Sequence, residues 1–243
     1  KNKLCDWIQQ GPNWALFNTF PRDSKAVMYG TYKITLKDKN ETELYNAIYN
    51  ADRRSIKKSI NNNVVIKKGV DCLNDCLTII NGTAIEADLQ LLTLTEINLL
   101  LLYLKDNLKI YVSYKDNVPQ TASIFLGNIY STFAYYAGST NRAFRGSNVY
   151  LYWKAIVDAK NNNCDYFDFV GARINPDPGS KIERIQRFKE HFGSELVKGY
   201  LWKMNISVIK YHIYSALIRL WFFLKRKKYD GDIIDQEIKR LEL

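Results

Sequence analysis

The sequence is poor in the residues that most often hold metals or build nucleophile pairs: 243 residues include two His and four Cys. Cys5, Cys72, Cys76 and Cys164 are scattered. Cys72 and Cys76 share a helix face, which permits metal binding in principle. The two histidines, His191 and His212, are distant in sequence and there is no second cysteine pair, so buried free thiols are expected rather than zinc. The cysteine pattern fits a reducing compartment. No Ser or Cys stands with a base in a recognisable arrangement, which argues against a covalent acyl-enzyme. Internal repeats and low-complexity segments are absent, and no secretory signal is visible. The apolar run Tyr211–Leu224 is too short and too charged to span a bilayer.

What is present reads as globular. Apolar residues make up 47% of the chain, above what a disordered segment carries. The length suffices for a well-buried core and one or two domains. The chain begins with Lys1 rather than Met, so it is expected to be the C-terminal part of a longer protein or a trimmed form of one. The formal charge of +10 and the pI of about 9.3 suit anionic partners such as phosphates, nucleic acid or a membrane surface, and equally an ordinary lysine-rich exterior.

Residues 1–30 read as irregular, with Trp7, Trp14, Phe17 and Phe20 packing what looks like the exit of an upstream domain. Thr31–Leu36 alternates as a strand. Asn40 with Glu43 forms a capping box that opens a helix over 41–61, and Thr93 with Glu96 forms another that opens a helix through Lys105. A strand is expected at 64–68 and a short helix at 71–80. Strands at 108–114, 118–126 and 129–137, turned by Lys115-Asp116-Asn117 and Gly127-Asn128, make an antiparallel meander. Helix 147–161, strand 164–170, helix 180–192 and a strand at 196–203 follow. Helices at 207–228 and 231–242 close the chain. The expected fold is α/β: a mixed sheet with helices on both faces.

The sharpest chemical signal lies on helix 180–192. Ile182, Ile185 and Phe192 define one stripe, and Lys189 falls inside it. An ammonium aimed at the core is costly to desolvate unless it has a partner or a purpose. A functional Lys189 would stabilise the oxyanion of a tetrahedral acyl-transfer intermediate or bind a substrate phosphate. The bland reading is a packed stem with its head in water.

The loop 138–148 joins a strand to a helix. Arg142 and Arg145 precede Gly146, Ser147 and Asn148, whose amides at the helix start have no intrahelical partners, so phosphate or carboxylate would sit well there. Solvated surface arginines are the alternative. Arg53, Arg54, Lys57 and Lys58 share one helical face that suits a diphosphate or an RNA backbone, or is simply a solvated face. Asp168, at a strand end, is either a base or orienting group or a cap for the next loop. Tyr152 and Trp153 line a cleft or fill core. Helix 207–228 has a narrow polar stripe (His212, Ser215, Arg219) and a basic end, Lys225-Arg226-Lys227-Lys228. It suits either a membrane interface or packing against a missing domain.

Three stretches carry a resemblance. They are Arg53-Arg54-Ser55-Ile56-Lys57-Lys58 with Asn63-Val64-Val65-Ile66; Arg145-Gly146-Ser147-Asn148 leading into Leu151-Tyr152-Trp153-Lys154-Ala155-Ile156 and then Cys164-Asp165-Tyr166-Phe167-Asp168-Phe169-Val170-Gly171; and Ile185-Gln186-Arg187-Phe188-Lys189-Glu190-His191-Phe192-Gly193. In this order the chain resembles the Fem-type aminoacyltransferases of peptidoglycan cross-bridge synthesis and their acetyltransferase-like (GNAT) superfamily.

The resemblance implies a GNAT-like, mainly antiparallel sheet flanked by helices, with C-terminal helices. It implies one acyltransferase domain over 31–205, preceded by a remnant of another at 1–30 and followed by basic and apolar helices at 206–243. The implied activity is acyl or aminoacyl transfer onto an amine of a diphosphate-linked peptidoglycan or surface-polysaccharide precursor. CoA-dependent N-acylation of an amino sugar and a catalytically inactive glycan-precursor binding domain are the alternatives.

Lys189 matches the family's Phe-Lys position, and Arg53 and Lys57 gain weight as substrate-binding residues. Acetyl-CoA users of this superfamily carry an Arg/Gln-x-x-Gly-x-Gly/Ala loop, whereas here Arg142 is followed three residues on by Arg145 and only Gly146 remains. The implied donor is therefore aminoacyl-tRNA rather than acyl-CoA, with no tightly bound cofactor. The implied partners are a nucleotide- or lipid-linked glycan precursor and charged tRNA; the residues of 207–228 separately suit a peripheral membrane contact. The implied location is cytoplasmic, at the inner face of the membrane.

Overall fold

A computed structural model describes residues 4–11, 17–227 and 229–241. Trp14 and Lys228, named above, lie outside them. In chain order the elements are β1 (Trp7–Gln9), β2 (Lys25–Thr35), α1 (Glu41–Ala47), α2 (Asn50–Asn61), β3 (Val65–Lys68), α3 (Leu73–Glu86), α4 (Leu94–Leu104), β4 (Leu108–Lys115), β5 (Val118–Gly127), β6 (Ser131–Ser139), α5 (Ser147–Asn161), β7 (Tyr166–Asp168), α6 (Lys181–Glu190), β8 (Glu195–Asn205), α7 (Val208–Leu224) and α8 (Ile233–Leu241). They fall into two compact units. As expected, the fold is α/β with a mixed, mainly antiparallel sheet, flanking helices and C-terminal helices.

One unit takes Tyr32–Phe169 and Glu183–Glu195. Its strands follow the order β2-β7-β6-β5-β4-β3. β6 and β7 run parallel, while β2–β7, β5–β6, β4–β5 and β3–β4 are antiparallel. Period-two alternation sends successive side chains to opposite faces. Ile110, Val112, Ala122 and Ile124 join Ile79 and Ile80 of α3 in one core. Their neighbours Tyr111 and Phe125 meet edge to face on the other side, where Phe125 also packs on Tyr152 of α5.

The other unit takes Lys1–Thr31, Val170–Ile182 and Leu196–Leu243. Here β1 pairs antiparallel with β8. A small core of Val27, Tyr29, Leu201 and Ile234 forms, with Ile233 and Ile238 packed against it.

Both predicted capping boxes are formed, at Asn40/Glu43 and Thr93/Glu96. Several boundaries differ from the sequence reading: β6 runs over 131–139 rather than 129–137, α7 ends at Leu224 rather than at 228, and four further differences have a visible cause or consequence. The helix expected over 41–61 is two helices, because Ile48 adopts an extended ψ of 137° and the Tyr49 amide donates to the carbonyl of His191 at 2.7 Å. A tertiary hydrogen bond there overrides local propensity. β2 begins at Lys25, inside the stretch expected to be irregular. α3 continues to Glu86 rather than ending at 80. β7 is only three residues long; one residue beyond it, after Phe169, Val170 and Gly171 turn to positive φ of 48° and 49°. No described helix is long and apolar enough to cross a membrane.

Candidate functional site

The site is built where β7 ends. Asp168 lies opposite Lys33 of β2 and beside Phe133 of β6, and it is 1% exposed. Buried carboxylates need positive partners. Lys33 Nζ stands 3.8 Å from Asp168 Oδ2. α6 brings a second cation: Lys189 is buried, and its amine's pKa is lowered to about 8, because burial disfavours the charge more than the nearby Asp168 carboxylate favours it.

The predicted stripe on α6 is shifted. Ile185 is exposed, and the buried residues are Gln186, Lys189 and, after the helix, Phe192, spaced by three as one helical face requires. Lys189 is inside that face, with a polar Gln186 rather than an isoleucine as its neighbour.

Three interactions fix the helix. The Tyr32 hydroxyl donates to Glu190 Oε1. Burial, together with that acceptor, pushes the Tyr32 phenol up to about 12, against an opposing hydrogen bond to Gln186. Ser194 Oγ donates to the Lys189 carbonyl at 2.8 Å. Gly193 follows at φ 72° with Ala47 so close that a Cβ would lie 2.8 Å from its Cβ.

Phe188, next to Lys189 in sequence, belongs to an aromatic cluster. Tyr152 is stacked on Phe169 at 5.6 Å and meets Phe188 edge-on at 5.3 Å. Such pairs contribute about 0.5–1.5 kcal/mol each beyond their buried area. They hold Phe188, the residue before Lys189, and so set the direction of the lysine. Tyr152 and Trp153 are therefore core side chains, both 6% exposed. Trp153 packs edge-on against Tyr45 of α1 at 5.3 Å.

The loop after β6 is seated on α2. Gly146 caps α5 with φ 101°, and a Cβ there would stand 2.8 Å from both the Ser55 carbonyl oxygen and Ser59 Oγ. Ser147 is fully buried. Among the described residues its hydroxyl has no hydrogen-bond partner, nor do Asn148 Oδ1 and Ser59 Oγ. Arg142 and Arg145 are exposed. Between them Phe144 lies under two ammonium groups, Lys58 at 5.8 Å and Lys115 at 5.6 Å.

Phe133 sits beside Asp168, and β6 runs six residues further before the loop, about 20 Å of strand. α2 spans a similar length, ~18 Å. Its first turn is held at the end of α6, where Asp52 Oδ2 lies 2.8 Å from His191 Nδ1 and Tyr49 stacks on the imidazole at 4.6 Å. Its middle is held at Gly146. The basic residues of α2 thus sit on the element that joins the Lys189 end to the arginine loop. Arg53 is half-buried and donates from Nη1 to the Asn46 carbonyl at 3.2 Å and to Asn46 Oδ1 at 3.3 Å. Arg54, Lys57 and Lys58 are exposed.

Sequence reasoning missed Lys33 beside Asp168 and Tyr32 against Glu190 and Gln186 of α6. Gln186 had a signal, since it lies three residues before Lys189. The thiols of Cys72, Cys76 and Cys164 are buried and Cys5 is exposed. Burial, then the neighbouring Cys72, pushes the Cys76 thiol up to about 12. A cavity of about 620 Å³ elsewhere in the same unit is lined by Lys68, Lys105, Lys109, Tyr111 and Asp158 and includes neither Lys189 nor Asp168.

No family model and no curated protein matches the chain. Solved structures do. FemX is 12% identical, with a TM-score of 0.66 over 86% of this chain and 68% of its own. L-PGS from Bacillus licheniformis is 9% identical, with a TM-score of 0.56 over 76% of this chain and 62% of its own. A conserved protein of unknown function from Bacteroides thetaiotaomicron is 10% identical, with a TM-score of 0.54 over 76% and 64%. The chain thus spans less than two thirds of the length of the last two. The likeness is one of fold, and it is the Fem-like fold that the sequence resemblance implied.

Proposed function

We propose that the chain is an acyltransferase domain that moves an acyl or aminoacyl group onto an amine of a diphosphate-linked cell-wall or surface-polysaccharide precursor. The observation that carries this reading is the buried amine of Lys189 beside buried Asp168. Such a group is held in a low-dielectric place where negative charge appearing on a reacting oxygen would be strongly stabilised.

In this mechanism the acceptor amine nitrogen attacks the carbonyl carbon of the donor ester. The carbonyl oxygen gains the electron pair and meets the Lys189 ammonium. Collapse of the tetrahedral intermediate re-forms the carbonyl and breaks the ester C–O bond, and the proton lost by the amine ends on the leaving oxygen. No protein nucleophile is needed, and positioning supplies much of the rate. Asp168 holds positive charge at Lys189. Arg53 and Lys57 of α2, with Arg142 and Arg145 of the loop, receive the diphosphate, and Gly146, Ser147 and Asn148 seat the loop that carries those arginines. The FemX-like fold supports the reaction class.

Aminoacyl-tRNA is the favoured donor. Gly146 is the loop's one glycine after Arg142, and its positive φ and missing Cβ are used for close contact with Ser55 and Ser59. That leaves little backbone freedom for wrapping a pyrophosphate.

The test supplies the full-length protein with an amino-bearing diphosphate precursor and either charged tRNA or acetyl-CoA, with product read by mass spectrometry. Turnover with charged tRNA alone supports the proposal. Turnover with acetyl-CoA alone selects an N-acyltransferase. Binding of the precursor without turnover by either donor selects a binding domain.

A further inference from the structure

Helix α7 has an apolar side that no described residue of its own unit covers. None of its 17 residues is buried. Its attachment is narrow: Trp7 stacks on Tyr214 at 4.6 Å, Lys210 Nζ pairs with Asp6 at 2.9 Å, and the Lys203 amine donates to the Tyr211 hydroxyl at 3.0 Å. Tyr211, Ser215, Ile218 and Phe222 are half-buried and share one face at 100° per residue.

The opposite arc, about 120° wide on the same helical count, carries Ile209, Ile213, Ala216, Leu217, Leu220, Phe223 and Leu224. Ile209 is 75% exposed, Phe223 77% and Leu224 71%. A contiguous apolar surface of this kind marks an interaction site.

The charge pattern says what covers it. The segment 208–228 contains no Asp or Glu. His212 and Arg219 border the arc on one side, and Trp221 lies beyond its other edge. Lys225, Arg226 and Lys227 follow at the helix end, with the Lys225 ammonium over the Trp221 ring at 5.9 Å. An apolar stripe edged by cations and an amphipathic aromatic, with no acidic residue, matches a helix lying in the plane of an anionic lipid surface. Seventeen residues rise about 25 Å, which suits lying in the interface.

We propose that α7 docks the protein peripherally on an anionic membrane, with the Ile209–Leu224 arc in the acyl boundary and the basic end among the headgroups. This inference is independent of the catalytic reading.

The test is co-sedimentation of the full chain with vesicles of phosphatidylcholine alone and of phosphatidylcholine with one part phosphatidylglycerol in three. Binding to the anionic vesicles is expected, weakening as salt rises, with little binding to the neutral ones. A Leu217→Glu/Leu220→Glu variant should lose at least tenfold in partitioning while keeping the wild-type melting temperature, because both side chains are exposed. Replacing Lys225, Arg226 and Lys227 with Ala should also weaken binding and flatten its salt dependence. Three results would overturn the proposal: no partitioning onto anionic vesicles, equal partitioning of the Leu217→Glu/Leu220→Glu variant, or a wild-type dimer in sedimentation velocity that this variant abolishes without any vesicle binding.

Discussion

The Asp168 carboxylate raises the affinity of the Lys189 amine for its proton, yet burial of that amine wins, and its pKa rests at about 8. The pair is therefore a cation kept at a cost. At neutral pH the amine is still mostly protonated, because its pKa lies about one unit above.

That cost predicts a trade-off. A fall from 10.5 to about 8 corresponds to a destabilisation on the order of 3 kcal/mol when the amine is charged. Lys189→Met removes the charge and keeps the stem volume. It is expected to raise stability by about 1–2 kcal/mol, read by urea unfolding at pH 7, while cutting transfer by at least 100-fold. The pH dependence has a definite sign. The wild-type penalty is fully present below pH 8 and is relieved as the pH rises towards 10.5, so wild-type stability gains on the variant across that window. A variant less stable than wild type at pH 7 would show that the lysine is a structural partner instead.

Removing the neighbouring charge should move the amine further. In Asp168→Asn the raising influence is lost and desolvation remains, so the Lys189 pKa is expected to drop below its wild-type value. A ¹³C NMR titration of labelled lysine reads this directly. An unchanged titration would mean that the carboxylate does not act on Lys189.

Gly146 is held by geometry on two counts, a φ of 101° and contact with α2. Gly146→Ala should cost about 1–3 kcal/mol from the strained backbone alone, and the contact with Ser55 adds to that. Denaturant unfolding checks the loss, and a neutral result would place the loop away from α2.

The second unit has its own buried charge. Glu237 is 0% exposed; its Oε1 lies 2.9 Å from Arg173 Nε and its Oε2 2.8 Å from Arg240 Nη2. Truncating one partner of such a pair strands the others, so Glu237→Ala is expected to cost about 3–5 kcal/mol, visible as a drop in melting temperature. An effect under 1 kcal/mol would contradict the packing of α8.

Much of this was legible in the sequence, for stated reasons. The capping boxes at Asn40 and Thr93 and the turn at Asp116-Asn117 were readable because short-range hydrogen bonding decides them, whereas the second meander turn falls at 128–130 rather than at Gly127-Asn128. Lys189 was found inside a buried face because a helical period is a local property. What escaped depends on distant partners. The break between α1 and α2 follows from the Tyr49 amide reaching the His191 carbonyl, a contact across 142 residues of sequence. Lys33 gave no sign that Asp168 would pair opposite it, because strand register is not written in either strand alone. Lys203 had a usable signal that was not read: Gly199, Leu201 and Lys203 alternate on the buried side of β8. The lysine is satisfied there by Asp232 at 2.7 Å and Asp235 at 2.6 Å, which, with the Tyr211 hydroxyl, outweigh its burial and raise its pKa.

The most direct measurement is the pH profile of single-turnover transfer from charged tRNA, run on the wild type and on Lys189→Arg. A protonated Lys189 facing the developing oxyanion predicts a rate that falls above about pH 8 in the wild type. Lys189→Arg, slower but permanently charged, is predicted to lack that falling limb. A wild-type rate that climbs steadily through pH 9, or a limb that persists unchanged in Lys189→Arg, would contradict the assignment of Lys189 to the reacting oxygen.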